Sequence, residues 1–177
     1  MTFSLHGIAV SRGIAIGHVH VVERNQLEIA EVRLKPDEID AEVARLDSAV
    51  ALARHHLREI REHIPAGTPL EIAAFIDTHL LMLDDAAFSE EPARLIRHNL
   101  CNAEWAVKQQ RDALVQVFDA MDDAYLRTRK DDVDNVVDRI IRNLQQHQPL
   151  SHEVPDQKLK DMIILASDLT PADLVLL

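Results

Sequence analysis

The sequence predicts a mostly α fold, an antiparallel helical bundle subdomain inserted into a small, incomplete α/β subdomain. Apolar residues recur at helical spacing in four long stretches. Three of the 4 glycines, and the short apolar runs that read as strands, lie toward the chain ends. The composition, 47% hydrophobic and 3% aromatic with 7 prolines in 177 residues, suits long helices better than a β-sandwich or a disordered chain. Such a chain makes one domain or two small ones and buries roughly two-thirds of its unfolded surface. The expected organisation is 1–25 for the first strands, 33–148 for the helical subdomain, and 149–177 for a linker and a returning strand.

The first glycines stand in Gly7-Ile8-Ala9-Val10-Ser11-Arg12-Gly13-Ile14-Ala15-Ile16-Gly17-His18-Val19-His20-Val21-Val22. Glycine permits φ > 0 and close backbone approach, so the stretch reads as strand, tight turn, strand; by itself it describes an ordinary β-hairpin. Residues 37–64 are the clearest helix, because Ile39, Val43, Leu46, Val50, Ala53, Leu57, Ile60 and Ile64 alternate steps of four and three. Pro36 suits the first turn, Asp37 and Glu38 favour the positive end of the macrodipole, and Pro65-Ala66-Gly67-Thr68-Pro69 stops the helix. This heptad seam fits packing inside a bundle or across a dimer.

Thr68-Pro69-Leu70-Glu71 reads as a capping box opening a second helix, with Ile72, Phe75, Ile76, His79 and Leu83 on one face. Leu80, Leu81 and Met82 make that helix apolar nearly all round, so its second side belongs either to the bundle or to a partner. Asn102-Ala103-Glu104-Trp105 reads as a third helix start, followed by Leu114, Val117, Phe118 and Met121, with Asp122-Asp123 interrupting the run. Val133, Val136, Val137, Ile140, Ile141 and Leu144 form the fourth stripe. The proline-flanked stretch 149–155 reads as a linker to a strand at 162–166, and the apolar end Leu174, Val175, Leu176 and Leu177 is expected to be exposed.

A formal charge of −11 argues against nucleic acid and anionic membranes, and favours a basic protein partner. Residues 62–93 contain no Lys or Arg, while Glu62, Glu71, Asp77, Asp84, Asp85, Glu90 and Glu91 are acidic. A solvated acidic face is one reading. The other is an apolar patch of Leu81, Met82 and Phe88 rimmed by Asp77, Asp84 and Asp85, on which burial supplies affinity and charge speeds encounter.

Other chemistries find little support. Cys101 is the only cysteine, which excludes an intramolecular disulfide and a cysteine-built metal site and suits the cytoplasm. No apolar run reaches the ~20 residues that span a bilayer, and Met1-Thr2-Phe3-Ser4-Leu5-His6 lacks a basic leader region, so export is not expected. His18 and His20 share one side of a strand, but two histidines alone make a poor metal site. No Glu has His three residues later, so a ferritin-like di-iron site fails. Ser11 lacks a nucleophile-elbow pattern, Cys101 has no visible activator, and His79 reads as a packed structural residue.

Four segments in order resemble the N-terminal part of Enzyme I, the phosphoenolpyruvate-protein phosphotransferase of bacterial sugar uptake. They are the glycine stretch, Phe75-Ile76-Asp77-Thr78-His79-Leu80-Leu81-Met82-Leu83-Asp84-Asp85, Asp123-Ala124-Tyr125-Leu126-Arg127-Thr128-Arg129-Lys130-Asp131-Asp132-Val133-Asp134, and Met162-Ile163-Ile164-Leu165-Ala166-Ser167-Asp168-Leu169-Thr170-Pro171-Ala172-Asp173. Arg12 stands where many members carry Pro, and Ala86 and Ala87 where many carry acids.

The resemblance implies that the helical insert docks the histidine-containing phosphocarrier protein, HPr. The docking surface carried over, with Asp84 added from the charge pattern, is Glu71, Asp77, Leu81, Met82, Asp84, Asp85, Phe88, Phe118, Met121, Leu126 and Arg129. The family's phosphoryl-accepting His follows Gly-Gly-x-Thr-Ser, and none of the ten histidines here has that context, so no catalytic residue is assigned. Phosphoenolpyruvate, Mg2+ and dimerisation are implied only for domains this chain does not contain, so no cofactor or metal is expected within it. The alternative function is a helical scaffold or dimerisation module that uses the seam over 39–64.

Overall fold

Pro36, Asp37 and Glu38 form a 3-10 turn that feeds helix α1 (Ile39–Glu62), and Glu38 folds back to accept a hydrogen bond from the Lys35 N–H at 2.8 Å. The computed structural model describes residues 8, 10–22, 27–122, 129–145, 162–166 and 169–176. The seam read from the sequence is buried from Ile39 to Ile60, with Leu46, Ala53 and Leu57 at 0% exposure. It packs within the chain: α1 touches α2 (Leu70–Asp84), α3 (Glu90–Asn99), α4 (Ala103–Asp119), α5 (Arg129–Leu144) and α6 (Pro171–Leu176). A dimer through this stripe is therefore unavailable to the folded chain.

The expected capping box at α2 does not form. Gly67 takes φ 95° in the preceding turn, and the Thr68 hydroxyl donates to the Pro65 carbonyl at 2.8 Å. Closing that turn uses the group that would otherwise cap the helix. The sequence reading also overlooks α3, whose buried residues are only Pro92, Ala93 and Ile96 between charged neighbours. Too few large apolar residues remain to reveal its period. Its end is equally inconspicuous, because Leu100 rather than glycine occupies the left-handed region at φ 52°. The Leu100 carbonyl accepts from Leu34 N–H at 2.7 Å, and Arg33 pairs with Cys101 in an antiparallel bridge.

The helices are tied together by Arg45. Its guanidinium donates to Glu42 at 2.7 Å, to Glu104 at 2.6 Å and to the Leu144 carbonyl at 2.9 Å, linking α1, α4 and the end of α5. Glu42 also accepts from the Ala103 N–H. Burial opposes ionisation of Glu104, but Arg45 and Asn102 outweigh it and hold the carboxyl below the usual carboxylate range. Asn102 does not cap its own helix; its Oδ1 accepts from Val32 N–H at 2.9 Å, fastening the segment before α1 to the start of α4.

At the chain ends, β1 (His18–Val22) pairs in parallel with β2 (Met162–Ala166), His18 opposite Met162 and Val22 opposite Ala166. This corrects the hairpin expectation, since residues 8 and 10–17 contain no strand. Parallel strands need a long crossover, which the helical insert provides. Thr170 and Asp173 then cap α6 reciprocally: Thr170 N–H donates to Asp173 Oδ2 at 2.8 Å, and Asp173 N–H to Thr170 Oγ1 at 3.2 Å. Ala172 is buried and Val175 packs against the core, so Val175 is not exposed as expected. The linker over 149–155 lies outside the described residues.

His79 sits in the core between α2 and α5, 1% exposed, its ring 4.0 Å from that of Phe75 and its Nε2 3.4 Å from Asp132 Oδ1. Burial favours the neutral ring and lowers its pKa; Asp132 opposes this and Arg139 reinforces it. The unfolded chain therefore takes up this proton first as the pH falls. The stability tied to neutral His79 is complete above about 6.5, declines below it, and levels off once the folded ring is also protonated.

Two outcomes follow from the packing. Leu57→Ala should lower unfolding free energy by about 3 kcal/mol in denaturant titration, the usual cost of a cavity at a fully buried leucine. Wild type should lose more stability between pH 7.5 and 5.5 than His79→Gln; equal losses would remove the assigned role of the buried ring.

Candidate protein-docking site

Helix α2 cannot bury both of its apolar sides against the bundle. Ile76, His79 and Leu83 face inward, while Leu81 remains 72% exposed and Met82 half-buried. Asp85 ends the helix and its side chain accepts from Ala87 N–H at 2.8 Å, so the chain turns at once into the 3-10 segment Ala86–Phe88. That turn drives Phe88 into the core at 6% exposure and leaves a cleft between α2, the 3-10 segment, α4 and α5.

The cleft encloses about 410 Å3. Leu81, Met82 and Phe88 line it from one side and Leu114 and Phe118 from α4, with Thr78, Asp85, Arg129 and Asp132 supplying polar edges. Leu114 and Phe118 lie four residues apart on one face of α4. Arg129 Nη1 donates to Asp132 Oδ2 at 2.8 Å, and the other oxygen of that carboxylate faces His79. The site is a mostly apolar hollow with a few fixed polar groups, suited to receiving apolar side chains of a partner.

Of the residues chosen from sequence, Leu81, Met82, Asp85, Phe88, Phe118 and Arg129 come together at this cleft. Asp77 and Asp84 instead turn toward α1: Arg61 Nε donates to Asp77 at 2.8 Å, and Arg54 Nε lies 2.7 Å from Asp84 while its Nη2 donates to the Leu83 carbonyl. Their charges are largely matched within the chain. Glu71 is exposed in the first turn of α2, Met121 is half-buried just beyond α4, and neither lines the cleft. Leu126 lies outside the described residues.

Sequence reading missed Thr78, Ala87, Leu114, Asp132 and Val133 as lining residues. Asp132 carried one available signal, its place three residues after Arg129 on a helix face. Elsewhere, Cys101 is buried and burial raises its thiol pKa, which makes it an unreactive thiol at neutral pH. Among the described residues, no three His, Cys, Asp or Glu side chains converge as metal ligands, and no helix is long and apolar enough to cross a membrane.

The family described as "PEP-utilising enzyme, N-terminal" matches residues 6–129. The chain is 39% identical over 182 aligned residues to a phosphoenolpyruvate-protein phosphotransferase of Cupriavidus necator, covering 99% of this chain and 31% of that one. It is 34% identical to the protein of the same description from Geobacillus stearothermophilus, covering 96% of this chain and 28% of the relative. The chain thus spans less than a third of the length of these relatives. Its fold is similar to a solution structure of Enzyme I (nEIt), with TM-score 0.79 and 24% identity over 94% of this chain and 66% of the other. It is also similar to the N-terminal domain of Enzyme 1 - Nitrogen, with TM-score 0.68 and 24% identity over 93% of this chain and 66% of the other. With its bundle, its parallel strand pair and a match over most of its length, the chain belongs to the family of PEP-utilising enzyme N-terminal domains.

Proposed function

We propose that the cleft between α2, α4 and α5 docks HPr, and that the chain is the HPr-docking part of an Enzyme I-type phosphotransferase of the cytoplasm. The observation that carries the reading is the unburied side of α2. Leu81 at 72% exposure and the half-buried Met82 border a preformed apolar hollow, in a helix with no Lys or Arg of its own. Phosphoryl transfer from phosphoenolpyruvate, with Mg2+, is assigned to the whole protein that the relatives represent, and docking to this chain. Burial at Leu81, Met82 and Phe118 would supply affinity, and Asp85 would speed encounter with a basic partner.

Asp85 is the informative acid for testing charge. Changing Asp84 would also remove the ion pair with Arg54, whereas Asp85→Asn keeps the oxygen that caps Ala87.

An amide NMR titration with unphosphorylated HPr should move resonances over 78–88 and 114–118 and around Arg129, at an affinity of roughly micromolar order for a small transient interface. Absence of shifts in the folded chain would sink the reading. Met82→Ala should raise the off-rate about tenfold, and Asp85→Asn should slow association roughly two- to fivefold at low salt with a flatter salt dependence, both read by stopped-flow. An unchanged association rate for Asp85→Asn would remove the electrostatic part.

A further inference from the structure

The polar edge of the cleft connects to the core in a way that docking alone does not require. Arg129 on the cleft wall donates to Asp132 Oδ2 at 2.8 Å; Asp132 Oδ1 lies 3.4 Å from Nε2 of His79, which is 1% exposed. One carboxylate therefore bridges an arginine on the binding surface and a titratable ring inside the bundle. Its side chain is 15% exposed, so solvent screens these interactions only weakly.

We propose that His79, Asp132 and Arg129 form a charge relay in which protonation of His79 draws on Asp132, leaves the Arg129 charge less compensated, and weakens docking of a cationic partner. This rests on the docking reading for its functional consequence. With His79 neutral, Asp132 serves Arg129 almost alone and the pair adds no net charge to the cleft. With His79 protonated, one carboxylate faces two cations, and the cleft carries one additional positive charge. The two other charged groups acting on the ring, Asp132 and Arg139, both come from α5. On α1, Arg61 and Arg54 are held by Asp77 and Asp84. Asp173 of α6 closes its own N-terminal cap, and Asp85 at the 3-10 turn caps Ala87.

An added unit charge about 8 Å from a partner cation changes affinity roughly twofold in water-like surroundings and thirtyfold at an effective dielectric constant near 20. The dissociation constant for HPr should therefore rise toward a factor in that range as the pH falls from 7.5 through the lowered pKa of the folded ring. His56, on α1, is a half-buried histidine of the bundle outside this chain of contacts and provides the control.

The test measures HPr affinity from pH 7.5 downward across the titration of the folded ring, while the chain stays folded, for wild type, His79→Gln, Asp132→Asn and His56→Gln. Titration of HPr itself is common to all four and cancels. The relay predicts that His79→Gln and Asp132→Asn flatten the pH dependence and that His56→Gln retains it. A full pH dependence in His79→Gln would overturn it. A second readout needs no partner: the Arg129 side-chain Nε–H resonance should follow the His79 titration in wild type and lose that inflection in His79→Gln. An Arg129 signal that ignores His79 overturns the relay even where HPr binds. HPr binding absent at pH 7.5 overturns the docking reading and, with it, the relay's control of docking, whatever the Arg129 signal does.

Discussion

The structure depends on burial of one stripe along α1. Every other α-helix among the described residues touches this element, and its Leu46, Ala53 and Leu57 are fully buried. A 24-residue helix with a continuous apolar face is costly to leave in water, while several shorter amphipathic helices gain most by covering it. This accounts for the helical part forming a single core. It also explains why the same seam is unavailable for association between chains.

Ion pairs then sort the surface. Arg45 ties α1 to α4 and reaches the end of α5, while Arg54 and Arg61 take up Asp84 and Asp77 from α2. Such half-exposed pairs stabilise modestly, so their main effect is placement. By drawing two of the acids on α2 toward α1, they leave Asp85 as the carboxylate of that helix end on the cleft, with no Lys or Arg paired to it among the described residues. The three aspartates chosen as a rim thus part company: Asp77 and Asp84 form a matched ridge along α1, and Asp85 stands beside the apolar hollow.

The hollow itself comes from an abrupt helix end. Asp85 stops α2 by capping the following turn, which sends Phe88 inward while Leu81 and Met82 stay at the surface. Continuation of the helix would change the path of the chain and the cleft together. Behind Asp132 on the cleft wall, the buried His79 places a titratable ring in the core, so that fold stability depends on its protonation.

The sequence by itself determined the bundle helices that carry long apolar stripes, because period and burial reflect the same spacing: the seven seam positions from Ile39 to Ile60 on α1 are buried as read, as are Val133, Val136, Val137, Ile140, Ile141 and Leu144 on α5. It also supplied the apolar lining of Leu81, Met82, Phe88 and Phe118. It did not reveal α3, whose small buried residues carry little periodic signal, or the pairing of β1 with β2, which depends on where the helical insert returns the chain. Only tertiary structure decided which acids face the cleft and which face arginines, and only it placed Asp132 between Arg129 and His79. Charge counts along a chain are one-dimensional, whereas ion pairing depends on the rotation of one helix against another.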